Sequence, residues 1–444
     1  MNHEYKDHRK MKNFHSKYLL LAGLVAVLHA PALALAQQVY TLDECIEQAL
    51  ANNRTLKQAH NNLQMAEEDK RSAFTNYFPS ISATGVGMLA NKGLVEMELQ
   101  PGMAMSMADD GVIGTVTASL PLFTGGQIVN GNRLAQVGVE AKRSQYGLSE
   151  NEVCLNTEKY FWQVVKLKEQ LKTLRTVEAQ LASLAGDVEA SVEAGLVNRN
   201  DLLQVRLKLN DNHSSRLNVE NALALSRSLL AQYLGMGTDS IDVAFAMDGK
   251  MPESPESIFS DAESSLGLTH EYHLLQQNVK AAKLQKKITV GKNLPTVAIG
   301  GGYAYENLMD HDHGFWLGFA TVSIPLTDWW SGAHQIRKQN LAVRNAESQL
   351  ADQSELLLIR MQQTWNDVND AYQQVAIALE SIGQASENLR LQRDYYEAGT
   401  CSMSDLLEAQ TLYQQSHDQY VESYAQYEVK KREYLQATGR GSHR

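Results

Sequence analysis

The chain has 444 residues, and its 40 Lys and Arg against 51 Asp and Glu give a formal net charge of −11 at pH 7. An acidic chain is poorly suited to the phosphate backbone, so we expect no nucleic acid to bind. Its three cysteines, Cys45, Cys154 and Cys401, are far apart and odd in number, which predicts neither a disulfide framework nor a zinc site.

The amino-terminal segment 1–36 has the pattern of a signal peptide. Five Lys or Arg residues precede an apolar run from Tyr18 to His29, which is shorter than the roughly 20 residues that span a bilayer. Ala34–Ala36 fits an A-x-A cleavage site, so we expect the mature chain to begin at Gln37. This pattern predicts export to a bacterial periplasm or beyond, and a membrane anchor is the alternative.

The remaining chain contains an internal repeat. Pro121 lies 74 residues before Gly195, and Pro325 lies 74 residues before Gly399. Such equal spacing predicts two homologous halves. Each half is expected to contain a helix, a β-hairpin, a long helix, a tight turn that we call a tip, and a returning helix. Repeat 1 is expected at 37–250, with its hairpin at 80–123, long helix at 126–194, tip at 195–201 and returning helix at 202–234, followed by a linker. Repeat 2 is expected at 251–444, with its hairpin at 297–325, long helix at 330–398, tip at 399–405 and returning helix at 406–437.

The long helices have a coiled-coil pattern. Segment 126–194 contains no proline, and Leu167, Leu174, Leu181 and Val188 follow one another at seven-residue intervals. About 70 helical residues at 1.5 Å each would extend roughly 100 Å, which exceeds a globular domain. We therefore expect a long antiparallel coiled-coil α-barrel, and the core of an ordinary helical bundle is the alternative.

The hairpins differ in kind from the helices. In segment 114–123, Val and Leu alternate with Thr and Ser, which is the two-residue period of a strand. Strands of about ten residues suit a tilted membrane strand. Four strands cannot close a barrel, and an open sheet would leave unpaired strand edges in lipid. Several chains must therefore combine their strands in one barrel. The predicted fold is mainly α with membrane β: the α-barrel plus a 12-stranded transmembrane β-barrel shared by a trimer.

The two tips have matching sequences. In each, a Gly fits the position after a helix end, and a following Asn or Ser fits an N-cap with Asp three residues later. These residues are Gly195, Asn198 and Asp201 in the first tip and Gly399, Ser402 and Asp405 in the second.

Motifs of enzymes are missing from the sequence. We find no nucleophile elbow, P-loop or dinucleotide fingerprint, so we predict no enzyme, no catalytic residue and no cofactor. Segment 310–313 (Asp-His-Asp-His) and four methionines in the first hairpin loop could hold a metal, but a solvated loop and flexible packing are the favoured interpretations. The methionines are Met97, Met103, Met105 and Met107.

The order and spacing of these motifs resemble the TolC-like outer-membrane efflux protein family, the outer-membrane factors of tripartite pumps. The resemblance implies a homotrimer in the bacterial outer membrane that extends into the periplasm. It also implies a passive tunnel for efflux or type I secretion, with a periplasmic adaptor and an inner-membrane pump as partners. A periplasmic coiled-coil adaptor or scaffold without a pore is the alternative. The matching segments are Asn76–Pro79, Leu120–Gly126, Ile324–Leu326 and the two tips.

The resemblance also implies a gate at the second tip. It places two acidic rings at Asp405 and Glu408, which would favour cations and be blocked by multivalent ones. In the first tip, Gln204 stands at the position of Glu408. Cys401 occupies the position of an arginine that ties the latch in the best-known members. The latch residues are Tyr396, Asn200 and Asp201.

Overall fold

The structure is a computed structural model that describes residues 39–91, 95–101, 103–107, 110–237, 241–245, 247–307, 312–326 and 328–441. The predicted signal peptide, its cleavage site, Asp310 and His311 lie outside the described residues. The methionine side chains of the first hairpin loop also lie outside this description.

The described chain is mainly helical with a small antiparallel sheet, which confirms this part of the predicted fold. The longest helices have 67 and 70 residues and extend roughly 100 Å at 1.5 Å per residue. Among the described residues, no helix combines the length and the apolar character needed to cross a membrane. The helices are α1 Leu42–Asn52, α2 Arg54–Thr75, α3 Gln127–Glu193, α4 Arg199–Tyr233, α5 Ala262–Leu266, α6 His270–Gly291, α7 Asp328–Glu397 and α8 Met403–Ala437.

The first helical segment is broken at Asn53. Apolar residues recur at three- and four-residue steps from Leu42 to Ala73, a pattern that predicts one helix. The Asn53 side-chain oxygen accepts from the backbone N–H groups of Thr55 and Leu56, at 2.8 and 3.3 Å. Its amide nitrogen donates to the carbonyl of Tyr233 at 2.9 Å. Asn53 therefore begins a second helix and ties it to the end of α4.

The main sheet has four antiparallel strands in the order β2-β5-β7-β8, so β2 and β8 are its edges within one chain. Two short strands, β1 and β6, pair in parallel, and β3 pairs with β4 in antiparallel fashion. The strands are β1 Val39–Tyr40, β2 Ser80–Leu89, β3 Val95–Gln100, β4 Met103–Met107, β5 Asp110–Thr124, β6 Asp242–Val243, β7 Thr296–Asn307 and β8 His313–Ser323.

The two faces of the main sheet differ in polarity. The strand register aligns Ala83, Val116, Tyr303 and Trp316 in one row, and alternate residues along each strand share that face. We call it the apolar face; Trp316 on it is 81% exposed. It also includes Ile81, Ala118, Leu120, Ile299 and Val322, whereas the opposite face carries Ser80, Ser82, Thr84, Thr115, Thr117 and Ser119 together with Phe315, Leu317 and Phe319.

The heptad positions of α3 are buried, as their seven-residue spacing predicts. Leu167, Leu174, Leu181 and Val188 all lie in the interior of the described chain. The 35-residue helices α4 and α8 pack against the parts of α3 and α7 that adjoin the turns, and α3 also contacts α8. The long helices are therefore held by a continuous apolar seam.

A column of tyrosines on α8 binds the segment between α4 and α5, which we call the linker and which extends beyond the predicted repeat boundary at 250. Tyr420, Tyr427 and Tyr434 are seven residues apart and largely buried. Tyr434 both donates to and accepts from one residue of the linker, at 3.1 and 2.9 Å. These bonds hold the linker against the helices. The three hydroxyls bond to the main chain of Lys250, Glu253 and Ser260, respectively.

We expect Tyr427→Phe to destabilise the protein by about 1–3 kcal/mol, because the part-buried Glu253 carbonyl loses its partner while the ring is retained. Thermal unfolding measures the effect. Tyr395→Phe is the control, since Tyr395 is 47% exposed. Equal unfolding midpoints for the Tyr427 variant and the wild type would show that the linker contact contributes nothing.

Candidate functional site at the helix tips

The two tips pack against each other through one apolar cluster, which we call the tip cluster. Helices α3, α4, α7 and α8 all contribute to it, so the two turns are held side by side. Tyr396, from the end of α7, packs against this cluster. The cluster consists of Val188, Leu202, Val205, Leu389, Met403, Leu406 and Ala409.

Both turns end their long helix in the same way. Gly195 and Gly399 each have φ of 72°, a left-handed conformation that glycine adopts at low cost. In each tip, the N–H of the residue after the glycine donates to the carbonyl five residues earlier, at 2.9 Å. This bond satisfies a free carbonyl at the helix end and explains why glycine occurs at both tips.

The caps of the returning helices are unequal. The Ser402 hydroxyl and N–H donate to the Asp405 carboxylate at 2.7 and 3.0 Å, and the Asp405 N–H donates back to the hydroxyl at 3.2 Å. Asn198 occupies the equivalent position but makes no side-chain capping bond. The predicted side-chain cap is therefore confirmed at Ser402 and wrong at Asn198. Asn198 and Ser402 are the residues directly before the returning helices. Helices α4 and α8 therefore start at Arg199 and Met403, three residues before the predicted starts at 202 and 406.

The two predicted gate acids lie on α8 within its first two turns. Both Asp405 and Glu408 are exposed in the single chain. The hydrogen bonds from Ser402 hold the pKa of Asp405 below its ordinary value. Asp405 therefore has a capping role that is independent of any gate, whereas Glu408 is free of the cap.

The predicted latch residues are only partly brought together. The Tyr396 hydroxyl is buried and has no hydrogen-bond partner among the described residues. Burial raises its pKa, and the nearby negative charge of Asp201 raises it further. Asn200 is exposed. Tyr396 thus lies close to Asp201 without a hydrogen bond between them in this chain.

Cys401 and Gln204 make contacts that the sequence does not predict. The Cys401 thiol donates to the carbonyl of Gln392 at 3.4 Å, a bond that joins the second tip to the end of α7. The Ser404 hydroxyl donates to the Gln204 side-chain oxygen at 2.9 Å, which joins the two tips. The only sequence signal for this contact was that Gln204 stands where the second tip has Glu408.

A cavity of about 840 Å³ lies beside Tyr396, between α3 and the second tip. Its lining combines apolar residues of the tip cluster with charged and amide side chains, including Asp187 and Arg393. Gln410 in its wall is 4% exposed and donates to Gln180 at 3.0 Å. The cavity is therefore lined by both apolar and polar groups.

Several known proteins are similar to this chain. Protein CyaE of Bordetella pertussis is 23% identical over 413 residues, which cover 89% of this chain and 83% of that protein. The outer membrane protein VceC from Vibrio cholerae matches with a TM-score of 0.74 and 14% identity, over 90% of this chain and 96% of that one. The open state of the Neisseria gonorrhoeae outer membrane channel MtrE matches with a TM-score of 0.72 and 13% identity, over 90% and 89%. At these identities, the likeness to the two solved structures shows a shared fold.

The family model described as outer membrane efflux protein matches residues 45–236 and 273–440. These ranges include both tips, the strands β2, β5, β7 and β8 and the whole of both long helices. The resemblance inferred from the motifs is confirmed: the chain belongs to the outer membrane efflux protein family, which is TolC-like.

Proposed function

We propose that three copies of this chain form an outer-membrane channel-tunnel of a tripartite efflux or type I secretion system. The tunnel passively conducts substrates from an inner-membrane pump and a periplasmic adaptor across the periplasm and the outer membrane. One observation carries the proposal: a four-stranded sheet with one exposed apolar face and two open edges continues directly into helices of 67 and 70 residues.

The open edges argue for assembly. Unpaired backbone N–H and C=O groups each cost several kcal/mol in lipid, so β2 and β8 need partners there. The β8 edge of one copy can pair with the β2 edge of the next, and three copies then supply twelve strands. In such a barrel, the apolar face contacts lipid and the face with Ser and Thr lines the lumen.

The helices argue for a long conduit. Each half of the chain runs through two strands of the sheet, a long helix, a glycine turn and a helix of 35 residues. This recurrence supports the two-repeat organisation at 37–250 and 251–444. Three copies contribute six antiparallel helix pairs, each with one helix of roughly 100 Å and one of roughly 50 Å. The long helices are enough to surround a periplasmic tunnel.

The tips supply the gate in this proposal. Asp405 and Glu408 project from the start of α8, so a threefold axis would surround itself with six carboxylates. Tyr396, Asn200 and Asp201 form the latch. The proximity of Tyr396 to Asp201 and its unpaired hydroxyl support a contact that completes in the assembled trimer. Cys401 has no positive charge and cannot replace the arginine found at this position in the best-known members. The latch in this proposal therefore depends on Tyr396.

The channel is tested with the full mature protein purified from membranes. Native mass spectrometry is expected to give the trimer, and planar bilayers are expected to give discrete conductance steps. A protein that stays monomeric and gives no conductance would favour the alternative of an adaptor or scaffold without a pore.

A further inference from the structure

A groove of about 580 Å³ runs between α2 and α3, on the side of these helices nearest the sheet. Its walls combine the basic side chains of Lys70, Arg71 and Arg133 with the aromatic rings of Phe74 and Tyr77. The gate and the tip cluster do not involve this groove. We call it the basic groove.

If the sheet is in a membrane, the end of the groove with Phe74 and Tyr77 lies at the depth of a lipid headgroup layer, and the cations lie at the outer margin of that layer. Helix α2 ends at Thr75, five residues before β2 begins at Ser80. Lys70 is five residues before that helix end, and Arg133 is six residues into α3, so both lie roughly 8–9 Å from the helix ends. Headgroup and interfacial layers occupy about 5–8 Å on each side of the hydrocarbon.

The charge of the groove is positive and accessible. Lys70, Arg71 and Arg133 are exposed. Arg71 forms an ion pair with Glu68 at 2.6 Å, but both side chains are well exposed and such pairs contribute little. Glu140, the next acid on α3, accepts a hydrogen bond from Gln136 at 3.2 Å. Glu67, Glu68 and Asp69 precede the two cations of α2, but the described residues that line the groove include three cations and no acid.

The groove is also firmly built and partly apolar. The Asn132 side chain donates to the Ala73 carbonyl at 2.9 Å, which fixes α3 against α2. Phe74 and Tyr77 are 55% and 40% exposed, and their ring centroids are 5.6 Å apart. Aromatic rings of this kind concentrate where headgroups meet acyl chains. A free phosphate ion has no apolar part that could pack against these rings.

We propose that the basic groove binds the phosphate of an anionic phospholipid in the leaflet nearer the helices. Lys70, Arg71 and Arg133 bind the phosphate oxygens, and guanidinium groups can do so through two parallel bonds. Phe74 and Tyr77 contact the glycerol and the first acyl carbons. This inference rests on the proposed insertion of the sheet in a membrane.

The test titrates the full mature protein in detergent with phosphatidylglycerol and counts bound lipids by native mass spectrometry. The variant carries Lys70→Gln, Arg71→Gln and Arg133→Gln. At about 1 kcal/mol for each basic residue near an anionic surface, affinity should fall about a hundredfold. The wild-type affinity should also fall with added salt.

A matched control removes the same charge from the same helices, with Arg54→Gln, Lys57→Gln and Arg143→Gln. These residues are exposed and lie at least ten positions from the nearest of the three groove cations, about 15 Å or more along the helix. The control should bind phosphatidylglycerol as the wild type does. An equal loss in both variants would overturn the site, because binding would then depend only on net charge.

Two further outcomes would overturn the proposal. Equal wild-type affinity for glycerol phosphate would assign the groove to a soluble phosphate. Loss of the trimer in the groove variant would assign it to contact between copies. Bilayer conductance distinguishes failure of this proposal from failure of the proposed channel. If the wild type conducts but the groove variant binds lipid as tightly as the wild type does, only the lipid site is wrong. If the wild type does not conduct, the channel itself is wrong.

Discussion

Replacing Ala83 with Arg should prevent most of the protein from assembling as a membrane-inserted trimer, whereas Thr84→Arg should leave assembly largely intact. The two residues are adjacent on β2 and both exposed in the single chain, but they point to opposite faces of the sheet. An arginine facing lipid near the middle of a bilayer costs about 2–4 kcal/mol, while one facing the lumen changes selectivity. Three copies would multiply the cost in the Ala83 variant.

The measurement is the yield of trimer extracted from outer membranes, together with its resistance to dissociation on heating. Since Thr84→Arg introduces the same side chain one residue away, it controls for the effect of arginine on expression and on the strand. Equal trimer yields for the two variants would mean that the apolar face does not contact lipid. A loss confined to the Thr84 variant would reverse the assignment of the faces.

The periodic features of this chain were predictable because one physical rule sets each of them. Leu174 and Leu181 are buried since a seven-residue spacing brings them to one side of α3. Strand β5 was predictable because apolar and polar residues alternate along it, and it pairs with β2 over ten positions. The glycines of the tips follow from the left-handed turn that each helix end requires.

Features that depend on distant partners were not predictable. Asn53 breaks its helix because its side chain can also reach the carbonyl of Tyr233, 180 residues away. The bond between Ser404 and Gln204 requires two tips that are adjacent only in the folded chain. The tyrosines of α8 left a seven-residue signal in the sequence, but their hydroxyl partners belong to an irregular linker with no period of its own.

The two proposed gate acids are expected to determine how strongly multivalent cations block the channel. Replacing Asp405 with Asn and Glu408 with Gln should raise the concentration of hexamminecobalt(III) needed for half-block from the tip side by about tenfold or more, which corresponds to at least about 1.4 kcal/mol. In the proposed trimer the double variant would remove six carboxylates from the axis, and their summed field would be what holds a trivalent cation. Single-channel recording in planar bilayers measures the block.

A matched control removes two exposed acids per chain from the ends of the long helices, with Glu193→Gln and Glu397→Gln. It should leave half-block close to the wild-type value, because these residues precede the turns and do not start α8. Equal effects in the two double variants would mean that cations respond to the overall charge of the tips.

The capping role of Asp405 must be separated from its charge. Ser402→Ala removes the hydroxyl that bonds to the carboxylate at 2.7 Å and leaves both acids in place. Loss of an N-cap costs about 1 kcal/mol, so this variant should unfold at a lower temperature while its block by multivalent cations stays near that of the wild type. If Ser402→Ala weakened the block as much as the loss of both acids, the cations would be sensing the shape of the turn. If only the acid variant weakens it, the carboxylates themselves form the ring.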